Sequence, residues 1–411
     1  MVCAYEEQIG MRFREFVLKE SAAPTVGRKY QHVEDLIFTG IPSKNIPAGA
    51  DGGRAAVRII QGMASTGGAN EIKWDGSPVV YWGRDEDGTF RLIPKNAWDY
   101  LKRGKTQAGD GVTTLMSSPD DIKNFILGTG KVDPSKEKQR QAYANQLADL
   151  WSYFEKISPE TGFLEGGLLF YPGKKPNGKP AQAILNPKTG EYEFSPNISG
   201  FHIGKNSVLG KRIAEGAKLM VAATGYYQSI GSDEGRYPDA EGLSTSDVIV
   251  QGTTYVENAP GIDSNLLDDA SAYIEENEQA INDFLQRRQP GPSGEEEVVN
   301  MFGDILYKFY NENLRVAGVK EKFKAWAEGA MAAKKIPKSR TTEILNNPGL
   351  DDVLTAVEKL SVAKMDMHKR ASAGTHSGIR QTKPEGYVYI DPVTGQHVKA
   401  IDQATWAPRK D

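Results

Sequence analysis

Between residues 70 and 225 the chain runs in short stretches rich in Val, Ile, Tyr, Trp and Phe, cut by Asp-Gly, Asn-Gly and Thr-Gly pairs. Glycine in such pairs reaches the positive φ that tight turns require, so the pattern predicts antiparallel hairpins. One hairpin is expected from residues 78–83 and 90–93 about Asp87-Gly88. A second is expected from residues 181–185 and 192–194 about Lys188-Thr189-Gly190. Residues 119–129 and 137–157 read as helices, the latter with Tyr143, Leu147, Leu150, Trp151 and Phe154 near helical spacing. The block is therefore read as α+β.

The rest of the chain has helical period. Residues 5–20 place Phe13, Phe16 and Val17 on one side, and 55–63 form a second helical stretch after Asp51-Gly52-Gly53. Between them His32, Glu34 and Asp35 read as a solvated face around Val33, Leu36 and Ile37. Residues 264–288, 295–332 and 350–370 follow as helices, the first two separated by Gln289-Pro290-Gly291-Pro292-Ser293-Gly294. Phe302, Ile305, Leu306 and Phe309 line one face of the second. Residues 371–378 read as a flexible stretch, and 386–390 with 397–401 as a last hairpin turned at Asp391-Pro392-Val393-Thr394-Gly395. The expected organisation is an N-terminal helical segment over 1–68, a core over 69–260, a helical insertion over 261–375 and the core's last strands over 376–411.

Composition narrows the function classes. With 39% apolar and 25% charged residues in 411, the chain can bury a sizeable core and is too apolar for disorder. Cys3 is the only cysteine, and the five histidines show no zinc-binding spacing, so disulfides and structural zinc are not expected. No apolar run approaches a membrane span and no signal pattern opens the chain, so a cytoplasmic protein with no membrane partner is expected. A net charge of −4 is compatible with a nucleic-acid enzyme whose positive charge is gathered in one cleft. Two tempting motifs carry little. Gly173 to Lys179 spells a phosphate-loop pattern, but Pro180 replaces the hydroxyl residue such a loop needs. The acidic run Arg84-Asp85-Glu86-Asp87-Gly88 lacks a calcium loop's alternating ligands and reads as a turn.

The informative string is Lys73-Trp74-Asp75-Gly76, preceded by Asn70-Glu71-Ile72 and followed by Ser77-Pro78-Val79-Val80. A lysine at a strand end before an Asp-Gly turn puts an amine at the mouth of a sheet, a geometry suited to attack on phosphate. Far along the chain stands Pro384-Glu385-Gly386-Tyr387-Val388-Tyr389, followed by a strand containing Val398-Lys399-Ala400-Ile401. This order resembles the covalent nucleotidyltransferases, specifically the adenylation domain of ATP-dependent DNA and RNA ligases, with mRNA capping enzymes as cousins. More narrowly, Gln31-His32-Val33-Glu34-Asp35, Lys73 to Pro78, Phe194-Ser195-Pro196-Asn197 and Glu385-Gly386 resemble ligase-like proteins of tailed bacteriophages. The resemblance covers about residues 30–225 and 380–406.

The resemblance implies an ATP-grasp-like ligase adenylation core of antiparallel sheets with flanking helices, a helical insertion and no C-terminal oligonucleotide-binding (OB) barrel, since the chain ends shortly after Lys399. It also implies an ATP-dependent RNA or DNA ligase using Mg²⁺, in which Lys73 forms a covalent lysyl–AMP. Lys399 would contact the α-phosphate, and Glu385 would help hold the metal. Glu71 matches a position near the adenine amino group, Asp75 and Gly76 complete the nucleophile turn, and Lys95 resembles a phosphate-contacting position. Phe201 is the expected base-stacking aromatic, and Glu165 in Phe163-Leu164-Glu165-Gly166-Gly167 the expected ribose acid.

Three departures stand out. The family's acid falls at Gly167, an arginine five residues after the nucleophile is replaced by Pro78, and the paired lysines of the last motif are reduced to His397 and Lys399. The expected partner is nucleic acid with 5′-phosphate and 3′-hydroxyl ends, with the insertion as the surface for a phage protein partner in an infected bacterial cytoplasm. The alternative is a catalytically impaired relative that serves as a phage nucleic-acid-binding or virion-associated protein.

Overall fold

The computed structural model describes residues 31–66, 70–74, 76–108, 111–129, 137–175, 178–232, 234–235, 239–290, 296–313, 318–373 and 378–402. The expected helix at 5–20, Asp75 and residues 374–377 of the 371–378 stretch lie outside the described residues. Several sheets and many helices make the fold mixed α+β.

The strands in chain order begin with β1 (Gln31–His32), β2 (Asn70–Ile72), β3 (Val79–Arg84), β4 (Phe90–Pro94) and β5 (Gly162–Phe170). They continue as β6 (Ile184–Asn186), β7 (Glu191–Phe194), β8 (Phe201–Gly204), β9 (Leu219–Tyr227), β10 (Glu234–Gly235) and β11 (Val248–Gln251). The last are β12 (Gln286–Pro290), β13 (Glu296–Asn300), β14 (Ile379–Gln381), β15 (Gly386–Ile390) and β16 (His397–Ile401).

The chain divides into two compact units. The sheet unit comprises residues 71–257 and 372–385; the helical unit comprises the described residues of 31–70, 258–371 and 386–402. The C-terminal hairpin therefore sits with the helices, and the boundary falls between Glu385 and Gly386 rather than near residue 376. The tract read as an insertion shares one unit with the N-terminal segment.

In the sheet unit, β10, β9, β5, β3 and β4 follow one another as antiparallel neighbours, and β11 adds to β9 in parallel. Alternation along β9 sends Leu219 and Val221 into one core and Met220 and Ala222 into another. The first core receives helices Lys95–Leu101, Pro119–Gly128, Glu137–Asp149 and Trp151–Lys156. Residues 137–157 thus form two helices meeting at Leu150 rather than one. Ser118 caps the helix Pro119–Gly128 by accepting from the Asp121 N–H at 3.2 Å, and Pro119 opens it without wasting a donor. The second core is shared with a smaller sheet, ordered β14-β8-β7-β6, whose Phe194, Phe201, Ile203 and Ile379 point inward.

In the helical unit, β16 lies between β15, antiparallel, and β1, parallel. Gly386 opens β15 with φ +156°, and a Cβ there would lie 2.1 Å from the Ala400 carbonyl oxygen, so only glycine fits after Glu385. Residues 286–288 and 296–300, expected to be helical, instead pair as the β12–β13 hairpin. The solvated face expected at His32, Glu34 and Asp35 is also overturned, because all three are buried. The helix Leu350–Ser372 supplies Lys364, itself buried, whose ammonium lies 2.5 Å from a Glu34 carboxylate oxygen. Opposite charge from a distant helix makes burial of this segment tolerable. Among the described residues no helix is long and apolar enough to cross a membrane.

Candidate active site

Two chain segments of the sheet unit converge on one ion pair. The first leaves β2, where the Ile72 N–H donates to the Thr254 carbonyl at 2.7 Å and Glu71 bridges to Tyr255. Lys73 and Trp74 follow, and Trp74 stacks on Phe201 with ring centroids 5.0 Å apart. Past the turn, the Ser77 N–H donates to the Leu168 carbonyl at 2.8 Å. A core ring at Trp74 and a strand backbone at Ser77 thereby anchor the chain on either side of this stretch.

The second segment runs out of β14 beside β8. The Thr382 N–H donates to the Gly200 carbonyl at 2.8 Å, and the Ser199 hydroxyl donates to the Lys383 carbonyl at 2.8 Å. Glu385 comes two residues later, and its Oε1 forms an ion pair with Lys73 Nζ. The side chains are 29% and 16% exposed, so the amine is held yet open to solvent. An amine beside a carboxylate in a half-open position can serve as nucleophile next to an oxygen donor of the kind Mg²⁺ favours.

The other expected residues fall around or away from this pair. Gly76 lies so close to Gly167 that a Cβ on Gly76 would sit 2.5 Å from the Gly167 carbonyl carbon, and one on Gly167 would sit 2.7 Å from Gly76 Cα. The backbone at Gly76 passes directly against that of β5, which leaves no room for a side chain at position 167. Glu165, two residues earlier, is half-buried, and its Oε2 accepts from the Tyr227 hydroxyl at 3.0 Å. Lys95 starts its helix on the surface and pairs with Asp99 at 3.2 Å.

Phe201 is a correction. It is fully buried and stacked with both Trp74 and Phe194, so its ring is core and offers no face to a base. Lys399 belongs to the helical unit, on β16, in register with Val388 on one side and His32 on the other.

The residue that motif reading passed over is Trp74, whose stacking on Phe201 anchors the chain next to Lys73; its place inside the tetrapeptide was the available signal. Also passed over were Glu191, Glu193 and His202, whose ligating atoms gather on the outer face of the small sheet. A Glu-x-Glu alternation within a strand was their only trace. No family model, curated protein or solved structure matches this chain.

Proposed function

We propose that this protein is an ATP-dependent polynucleotide ligase acting through a covalent lysyl–AMP. The observation that carries the reading is the Lys73–Glu385 ion pair, formed within one unit by two motifs far apart in sequence. The Lys73 amine, once deprotonated, attacks the α-phosphate of ATP; an N–P bond forms and the bond to pyrophosphate breaks. AMP then passes from the lysine to a 5′-phosphate end, and a 3′-hydroxyl displaces it to leave a phosphodiester. Glu385 would hold Mg²⁺ through a carboxylate oxygen. Lys399 enters on the resemblance alone.

The test is incubation with α-labelled ATP and Mg²⁺. Label is expected on the protein, to remain after free nucleotide is removed, and to vanish in Lys73→Ala; a wild-type chain that never acquires label overturns the proposal. Nicked duplexes differing only in the sugar on each side of the break then identify the strand joined. A second reading, a nucleic-acid-binding protein that does not complete ligation, is favoured by the Gly76–Gly167 contact, which excludes a side chain at the usual acid position. It expects retention of nicked duplex without sealing.

A further inference from the structure

A different cluster of ligating groups lies on the small sheet. In the β7–β8 pair, Glu193 faces His202 and Glu191 faces Gly204, while β14 places Arg380 beside His202. Strand alternation turns Phe194, Phe201 and Ile203 into the core and Glu191, Glu193, His202 and Arg380 to the opposite face.

His202 Nδ1 lies 3.4 Å from Glu193 Oε1 and 3.7 Å from Glu191 Oε2. That nitrogen is buried and makes no hydrogen bond, and the side chain as a whole is 15% exposed. The separations exceed those of an N–H···O bond. The shorter matches the distance of about 3.4 Å between two ligands that share one tetrahedral ion at roughly 2.1 Å from each, and the longer lies slightly beyond it. All three ligating atoms fall within 4.8 Å of one another. Each carboxylate is also held from outside: Asn186 Nδ2 donates to Glu193 Oε1 at 2.8 Å, and Arg380 donates to Glu191 Oε2 at 2.7 Å. The neutral Asn186 amide orients Glu193 as outer partners of metal ligands do, whereas the Arg380 guanidinium competes with an ion for Glu191 Oε2.

We propose that Glu191, Glu193 and His202 form a site for a divalent transition-metal ion. One imidazole with two carboxylates suits zinc and its neighbours better than Mg²⁺ or Ca²⁺, which favour oxygen throughout. Arg380 is the built-in competitor, because it occupies the Glu191 oxygen nearest the imidazole. The site lies behind the strands that carry the Phe194–Phe201 stack, so an ion there would tie β7 to β8 under Trp74. The inference does not depend on the ligase reading.

The experiment is calorimetric titration of the full chain with zinc chloride after dialysis against a chelator, with thermal unfolding measured in parallel. Saturable binding and a raised unfolding temperature are expected, with no such response to Mg²⁺. His202→Gln and Glu193→Gln should each weaken zinc at least about tenfold. Arg380→Gln should tighten it by a similar factor, since it frees Glu191; a cluster that is only an ion-pair network would show no tightening. Absence of saturable binding to the wild-type chain, or equal binding by the wild-type and His202→Gln chains, overturns the proposal.

Discussion

Each unit contains a lysine–glutamate ion pair, and the two pairs differ in one physical respect. Lys364 and Glu34 of the helical unit are 2% and 0% exposed, whereas Lys73 and Glu385 of the sheet unit are 29% and 16% exposed. Taking two charges out of water costs several kcal/mol per ion, recovered only through close mutual geometry, so a buried pair cannot separate while its unit stays folded. A half-exposed pair is screened and exchangeable, and its amine can leave the carboxylate for another anion. Burial, not the chemistry of the pair, separates a structural lysine from one available for reaction. Arg58 and Asp391, at 38% and 2% exposed, stand between the two cases.

The comparison is tested hardest at the buried end. Lys364→Met removes the ammonium that faces Glu34 inside the helical unit, and a loss of about 3–5 kcal/mol is expected. Chemical denaturation of the full chain reads it. A loss below about 1 kcal/mol would place this pair among surface ion pairs and end the distinction.

The intermediate pair should give an intermediate loss. Arg58 donates two hydrogen bonds to Asp391, at 2.7 and 2.8 Å, and the Thr394 N–H adds a third at 3.0 Å. Burial pushes the Asp391 carboxyl up, but the Arg58 fork, the Thr394 hydroxyl and a backbone N–H outweigh it and hold the group down to about 2. An unfolded aspartate titrates near 3.9. The contribution is therefore complete above that value and is lost as pH falls through about 2. Asp391→Asn should cost about 1.5–3 kcal/mol at neutral pH. It should also flatten the fall of stability between roughly pH 5 and 2; an unchanged slope there would show that Arg58 does not stabilise the charge.

What the sequence made legible follows the same division between local and distant causes. The hairpin at Asp87-Gly88 and the one turned by Asp391 to Gly395 were readable, because the turn residues and the strands they join are neighbours. The helix expected over 119–129 spans 119–128, its cap and apolar face all lying within one short stretch of chain. The β12–β13 hairpin was not readable, since Gln, Arg and Glu favour helices when isolated and only cross-strand pairing makes 286–290 and 296–300 strands. Burial of Glu34 was hidden as well, because its partner Lys364 is 330 residues away. At the candidate site, the motifs singled out Lys73 and Glu385, and the ion pair between them is what the fold adds. The close approach of Gly76 to Gly167 was not legible, nor the enclosure of Phe201 between two rings, because both arise from contacts between segments remote in sequence.

The smallest expected effect is the most informative. Lys73→Met removes one partner of a pair whose groups both reach solvent, so a stability loss of no more than about 1 kcal/mol is expected. Trp74 and Ser77 should stay in place, because the stacking on Phe201 and the Ser77 N–H on Leu168 do not involve the ammonium. Denaturation of this variant beside Lys364→Met separates the two roles directly. A loss as large as that of the buried pair would mean that Lys73 is a structural element of the sheet unit, and any loss of labelling in a Lys73 variant would then reflect unfolding instead of a missing nucleophile. A chain that keeps its stability but can no longer be labelled would assign the chemistry to this one amine.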